Sequence, residues 1–376
     1  MEGAQCAQKV PIMQYSRTST LTRGVVLLLF LLCWHMSPSA AAEEALQPVL
    51  DRLGISLPDQ VANRGPVASR LDQIRREPCD QTAISDLGKE LEDAGYRREA
   101  ATALVSFSDH CGGNTATLRR AANILLKLTD YAGMIDIANK IIELLPYNDN
   151  GYYLRARAYD GIKDYKRAIP DYVTGIELFG DKDRISSNSY IRLSDVYAAL
   201  GQFCEAMRPI DAWVAINPAR NDTSQTRAIL TTLAQKGNCS SETSGRGETI
   251  AVGAAGKTIN VAVQVNGTHG RFLLDTGATF VLLRRTFATS ARVHVQDDDR
   301  IQLHTANGIG RAMLGRADTV KLGTIEARNV AVAVQSDNDA AYGQGIDGLL
   351  GMSFLSRFDV RLDEHAVTIR PRAPAR

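Results

Sequence analysis

The sequence lacks most of the features that announce a function class. Over 376 residues the formal net charge is only +1, so no overall field draws the chain to nucleic acid or to an anionic membrane. Aromatic residues make up 6% of it, too few for a series of base-stacking platforms, and no nucleic-acid partner is expected. The six histidines are scattered and no C-x-x-C occurs, which leaves no zinc spacing. G-x-x-x-x-G-K-[ST], H-E-x-x-H, a strand-linked G-x-G-x-x-G and G-x-S-x-G are also missing, against phosphate-cradling, metalloprotease, dinucleotide and serine-hydrolase chemistry. Neither a metal nor a cofactor is expected. His304 could sit near a cleft, though a surface or hydrogen-bonded role is the commoner reading for a single histidine.

Long apolar runs are missing too. The best one, Val25 to Trp34, is roughly half of the ~20 residues that a spanning helix needs. It follows Arg17 and Arg23 and leads into Ala40-Ala41-Ala42 before Glu43-Glu44. A positive flank, a short apolar core and an A-x-A site are the parts of a secretory signal peptide, residues 1–42, with translation starting at Met1 or Met13. The reading is export to the periplasm; the alternative is a membrane anchor, if the leader is not cleaved. Bulky Leu32 argues against a lipid anchor on Cys33.

Four cysteines remain beyond the leader, Cys79, Cys111, Cys204 and Cys239, an even number suited to an oxidising compartment. Three pairings are possible. Nearness favours Cys79–Cys111 and Cys204–Cys239, each bracketing a pair of helices, with buried free thiols as the alternative.

Residues 43–235 read as helices in a repeat. Tyr96, Tyr131, Tyr165 and Phe203 recur at intervals of 35, 34 and 38, each at the turn of a helix–turn–helix unit. A small residue follows (Ala100, Ala168, Ala206), with Met134 in the comparable place, and units close near Pro146 and Pro218. Within a helix, Leu118, Ala121, Leu125 and Leu128 share one side, as do Tyr131, Met134, Ala138, Ile141 and Leu145. Leu46, Val49, Leu50 and Leu53 form a cap to the first unit. The best unit, residues 151–178, resembles the tetratricopeptide repeat. That resemblance implies a stack whose concave surface binds extended peptide or a protein partner, with Arg155 and Lys127 as candidate groove residues or, more simply, as a solvated face.

Gly, Ser and charge take over at 236–249, which reads as a flexible linker. The period then becomes two. Ile259, Val261, Val263 and Val265 alternate with polar or small residues, Asn266-Gly267 marks a tight turn, and the returning strand Arg271-Phe-Leu-Leu runs into Asp275-Thr276-Gly277-Ala278. An acid at the end of an apolar strand needs hydrogen bonds, for which Thr276 offers a hydroxyl and Gly277 a tight backbone turn. An Asn307-Gly308 turn precedes Ile309, and Ile346-Asp-Gly-Leu-Leu-Gly351 leads into Met352-Ser-Phe-Leu.

These three motifs, in this order, resemble a bacterial retropepsin-like aspartic protease domain over residues 250–376. The fold class is then an α-helical repeat array followed by an all-β barrel. The resemblance implies Asp275, Thr276 and Gly277 as the catalytic loop, a β-hairpin flap with Asn307 and Gly308 at its tip, and a segment around Leu349 packed beside the loop. Ala278, Ile309 and Leu349 join the flap tip as substrate-contacting positions, and Leu274 as a cleft wall. Two carboxylates sharing one proton are needed, and the chain has one Asp-Thr-Gly, so the resemblance implies a homodimer. The competing reading is a scaffold without catalysis, using the barrel to dimerise and the repeats to bind peptide.

Overall fold

The computed structural model describes residues 38–252, 258–305, 308–338, 342–363 and 365–371. Thirteen helices come first among them: α1 Pro38–Leu53, α2 Asp59–Ala62, α3 Gly65–Arg76, α4 Gln81–Asp93, α5 Arg97–His110, α6 Thr115–Lys127, α7 Tyr131–Leu144, α8 Asp149–Gly161, α9 Tyr165–Leu178, α10 Ser187–Ala199, α11 Phe203–Ile216, α12 Pro218–Asn221 and α13 Ser224–Gly237. Helices α4 to α11 form four antiparallel pairs. The turn inside each pair holds one residue at positive φ, at Gly95, Thr129, Lys163 and Gly201, so the repeat is written in the backbone as well as in the sequence. Polar side chains fix the helix starts: Asp80 accepts from the amides of Thr82 and Ala83, Asn114 from Ala116 and Thr117, and Asp130 from Gly133.

The tyrosines that open the second helices stand beside residues that let the pairs close. Ala100, Met134, Ala168 and Ala206 are fully buried. Tyr172 is buried as well and meets Tyr153 edge-on, with ring centroids 5.7 Å apart. Leu46, Val49, Leu50 and Leu53 bury against the first pairs as the cap. Leu145 departs from its expected face: it lies just past the end of α7 and is 44% exposed. Disulfides join Cys79 to Cys111 around α4–α5 and Cys204 to Cys239 around α11–α13.

Eleven strands and two short helices follow: β1 Thr243–Ser244, β2 Glu248–Ala251, β3 Ile259–Val265, β4 Thr268–Leu274, β5 Val281–Arg284, α14 Arg285–Ser290, β6 His294–Thr305, β7 Gly308–Leu322, β8 Ile325–Gln335, β9 Gly348–Leu350, α15 Met352–Leu355, β10 Phe358–Leu362 and β11 Ala366–Pro371. The larger sheet runs β1-β8-β5-β9-β4-β3-β7-β6 and closes into a barrel through β7–β8. A smaller sheet, β10-β11-β2, packs Val367 and Ile369 into the same core. Part of the expected linker is therefore paired: β1 joins β8, and β2 joins β11. The reason is local charge and register. Glu242, just ahead of β1, meets the buried guanidinium of Arg357 at 3.2 Å.

The array and the barrel share one apolar cluster. Val173 and Ile176 of α9 and Leu193 of α10 pack with Phe280, Ile301, Leu303 and Ala312 of the barrel. Gln302 of β6 donates its amide to the Thr174 hydroxyl (3.2 Å) and its side chain to the Tyr152 hydroxyl. The two groove candidates are engaged elsewhere. Arg155 grips Asp171 through two bonds of 2.7 and 2.8 Å, and Lys127 meets Glu92 at 3.0 Å.

Candidate active site

Strand β4 ends at Leu274 and presents Asp275 at the tip of a tight loop. The loop is held from below. The Asp275 amide donates to the Leu350 carbonyl (3.1 Å), and the amides of Met352 and Ser353 donate to the carbonyls of Ala278 (2.8 Å) and Thr279 (2.9 Å). Strand β9 lies between β4, to which it runs parallel, and β5, to which it runs antiparallel. Two glycines make this approach possible. A β-carbon on Gly348 would stand 2.1 Å from the Leu282 oxygen, and one on Gly351 2.1 Å from the Phe280 oxygen.

Asp275 is half-buried, less enclosed than an acid at the end of an apolar strand was expected to be, because the strand stops and the loop turns outward. Its Oδ1 accepts from the Gly277 amide at 2.8 Å. No bond from the Thr276 hydroxyl to Asp275 is found among the described residues; Thr276 is exposed. The backbone of Gly277, rather than the Thr276 side chain, meets the acid within this chain.

Asp275 opens into a cavity of about 380 Å³. Gly277, Ala278 and Leu349 line it, as the sequence motifs suggested. Leu274 does not; it packs against the barrel core, and strand alternation turns Leu273 to the cavity instead. Strands β6 and β7 form the expected hairpin, with Thr305 opposite Gly308 and the Thr305 hydroxyl donating to the Gly308 carbonyl at 2.8 Å. Gly308 takes the positive φ, 111°, that the turn needs. Ile309 is 37% exposed and does not reach the cavity. Asn307 lies outside the described residues.

Several lining residues were not legible from the motifs. His304, left open as a surface or cleft residue, is in the cavity, because it sits on β6 two residues past Gln302. Gln335 and Tyr342 are two more, joined by a hydrogen bond from the Tyr342 hydroxyl. The last is Glu177, which comes from α9 of the repeat array. Gln335 could have been suspected as the polar residue that ends the apolar run of β8. Nothing in the sequence places Glu177 near Asp275, because only the docking of the two domains brings them to one cavity. Among the described residues no group of three or more His, Cys, Asp or Glu is arranged to hold a metal ion.

Residues 261–357 match the family model described as "gag-polyprotein putative aspartyl protease". The barrel is a retropepsin-like aspartic protease domain, and the array before it is built of tetratricopeptide-like helix pairs. Similar solved structures include a retropepsin-like aspartic protease from Rickettsia conorii (24% identity, 34% of this chain and 93% of that one, TM-score 0.26). They also include MamA from Desulfovibrio magneticus RS-1 (16% identity, 49% of this chain and 98% of that one, TM-score 0.34). A tetratricopeptide repeat protein from Parabacteroides merdae ATCC 43184 is similar as well (15% identity, 53% of this chain and 75% of that one, TM-score 0.36). No curated protein matches the chain.

Proposed function

We propose that the chain is an aspartic endopeptidase, exported by its leader (residues 1–42) to the periplasm and active as a homodimer with one Asp275 from each subunit. The helical array, residues 43–235, recruits or positions the protein substrate, and residues 250–376 cut it. The observation that carries this reading is the Asp275 loop itself: an acid at a strand tip, locked by β9 through Gly348 and Gly351, with its carboxylate opening into a walled cavity.

The chemistry follows from pairing two such loops. Two carboxylates close together cannot both ionise, so the pair holds one proton. The ionised member takes a proton from water as it attacks the peptide carbonyl; the protonated member donates to the carbonyl oxygen. Titration belongs to the pair and shows two apparent steps. The β6–β7 hairpin covers the substrate, and Ala278 and Leu349 contact it, with Gly308 at the hairpin tip.

The test is cleavage of an unfolded protein by the mature chain over about pH 4 to 7. Wild type should cut and a statine-type inhibitor should stop it. Asp275→Asn should lose at least about a thousandfold in rate, as expected when both carboxylates of the acid–base pair are removed, one from each subunit. Equal silence from wild type and Asp275→Asn, in a preparation whose mass in solution is that of a dimer, rejects catalysis in favour of a peptide-binding scaffold.

A further inference from the structure

We infer that Glu177 of the repeat array forms a subsite of the Asp275 cleft that selects a basic side chain, lysine or arginine, in the substrate peptide. The inference rests on the protease reading and adds to it a substrate class and a reason for the two domains to share one chain.

Glu177 lies in the last turn of α9, is only 6% exposed, and lines the cavity that holds Asp275. Its carboxylate makes neither a hydrogen bond nor an ion pair among the described residues. Lys182 donates to the backbone carbonyls of Ile176 and Glu177; burial pulls its ammonium below the ordinary lysine value, and the charges of Glu177 and Asp149 act against that pull. A carboxylate this enclosed and without a directly paired cation is costly unless an incoming group compensates it.

Gln335 lines the same cavity as a neutral polar wall. It is fully buried; its side-chain oxygen accepts from Tyr342, and its amide nitrogen has no hydrogen-bond partner. The fitting occupant brings a cation to Glu177, which a peptide in the cleft supplies as a basic side chain. Leu273, Leu282 and Leu303 line the cavity too and give an apolar wall against which the methylene stem of lysine or arginine packs. An acidic side chain would face two carboxylates, and an apolar one would bury Glu177 without compensation.

The experiment has a cleavage arm and a binding arm. Wild type digests a mixture of short peptides in which all residues vary, and the products are sequenced. One position near the cut should favour Lys and Arg over Gln and Leu by at least about tenfold, and Glu177→Gln should bring that ratio near one. Glu177→Lys should turn the preference toward glutamate. In the second arm, Asp275→Asn is bound to an array of extended peptides, each made with arginine and with citrulline. The arginine forms should bind at least about tenfold tighter, and Asp275→Asn with Glu177→Gln should not distinguish them. No binding, binding indifferent to arginine, or a basic preference that survives Glu177→Gln overturns the inference. Failure to cleave, with the arginine preference intact in the binding arm, removes the protease reading instead.

Discussion

Gly351 has space for a hydrogen atom and nothing larger, since the carbonyl oxygens of Phe280 and Ala278 would stand 2.1 and 2.6 Å from any added β-carbon. Both oxygens belong to the backbone and cannot swing aside. Gly351→Ala should therefore cost about 2 kcal/mol or more and unseat the Asp275 loop, read as a lower urea midpoint. Asp130 and Asp164 are sensitive in another way. The Gly133 amide and then the Arg98 side chain hold the Asp130 carboxyl below its ordinary 3.8; the Arg167 side chain does most of the same for Asp164. A carboxyl depressed in the fold contributes stability that is complete above its unfolded value and is lost as pH falls through the folded one. Below about pH 4 the melting temperature of wild type should fall more steeply than that of the double variant Asp130→Asn, Asp164→Asn. Arg167 lies three residues after Asp164, at the start of the same helix, and shows in the sequence, whereas Arg98 reaches Asp130 from a neighbouring helix and does not.

At the scale of elements, Arg155 and Asp171 tie α8 to α9 with a two-pronged bond in a part-buried setting. Burial pushes the Asp171 carboxyl up, and Arg155 pulls against it. Removing one member strands the other, so Asp171→Ala should cost about 3–5 kcal/mol, measured by urea unfolding. The period of aromatic and small residues made the helix pairs legible. It does not disclose which charges pair, so sequence alone leaves Arg155 to an open groove or to solvent. The β3–β4 hairpin was equally plain, because Asn266 and Gly267 both take positive φ, 50° and 82°, as the tight turn demands. The segment ahead of the barrel was not plain: its Gly and Ser content hid the strands β1 and β2, which exist only because β8 and β11 offer edges to them.

For the whole molecule, the decisive contact is between α9 and β6. Ile301 is 2% exposed in a cluster built from both domains. Ile301→Asp should bury an unpaired carboxylate there, cost about 3 kcal/mol or more, and raise amide exchange along β6 above that along β3, measured by hydrogen–deuterium exchange. Asp275, Gly277, Ala278 and Leu349 could be found from sequence because one loop and its neighbouring strand carry them. Glu177 could not, since its place depends on how two separately patterned halves dock.

Thr174 also closes an exposed margin. Strand β6 ends the larger sheet, and the outward amide of Gln302 is spent on the Thr174 hydroxyl. A foreign strand arriving at that border would find the donor occupied and a helix across its path, so the barrel is shielded there from edge-to-edge aggregation.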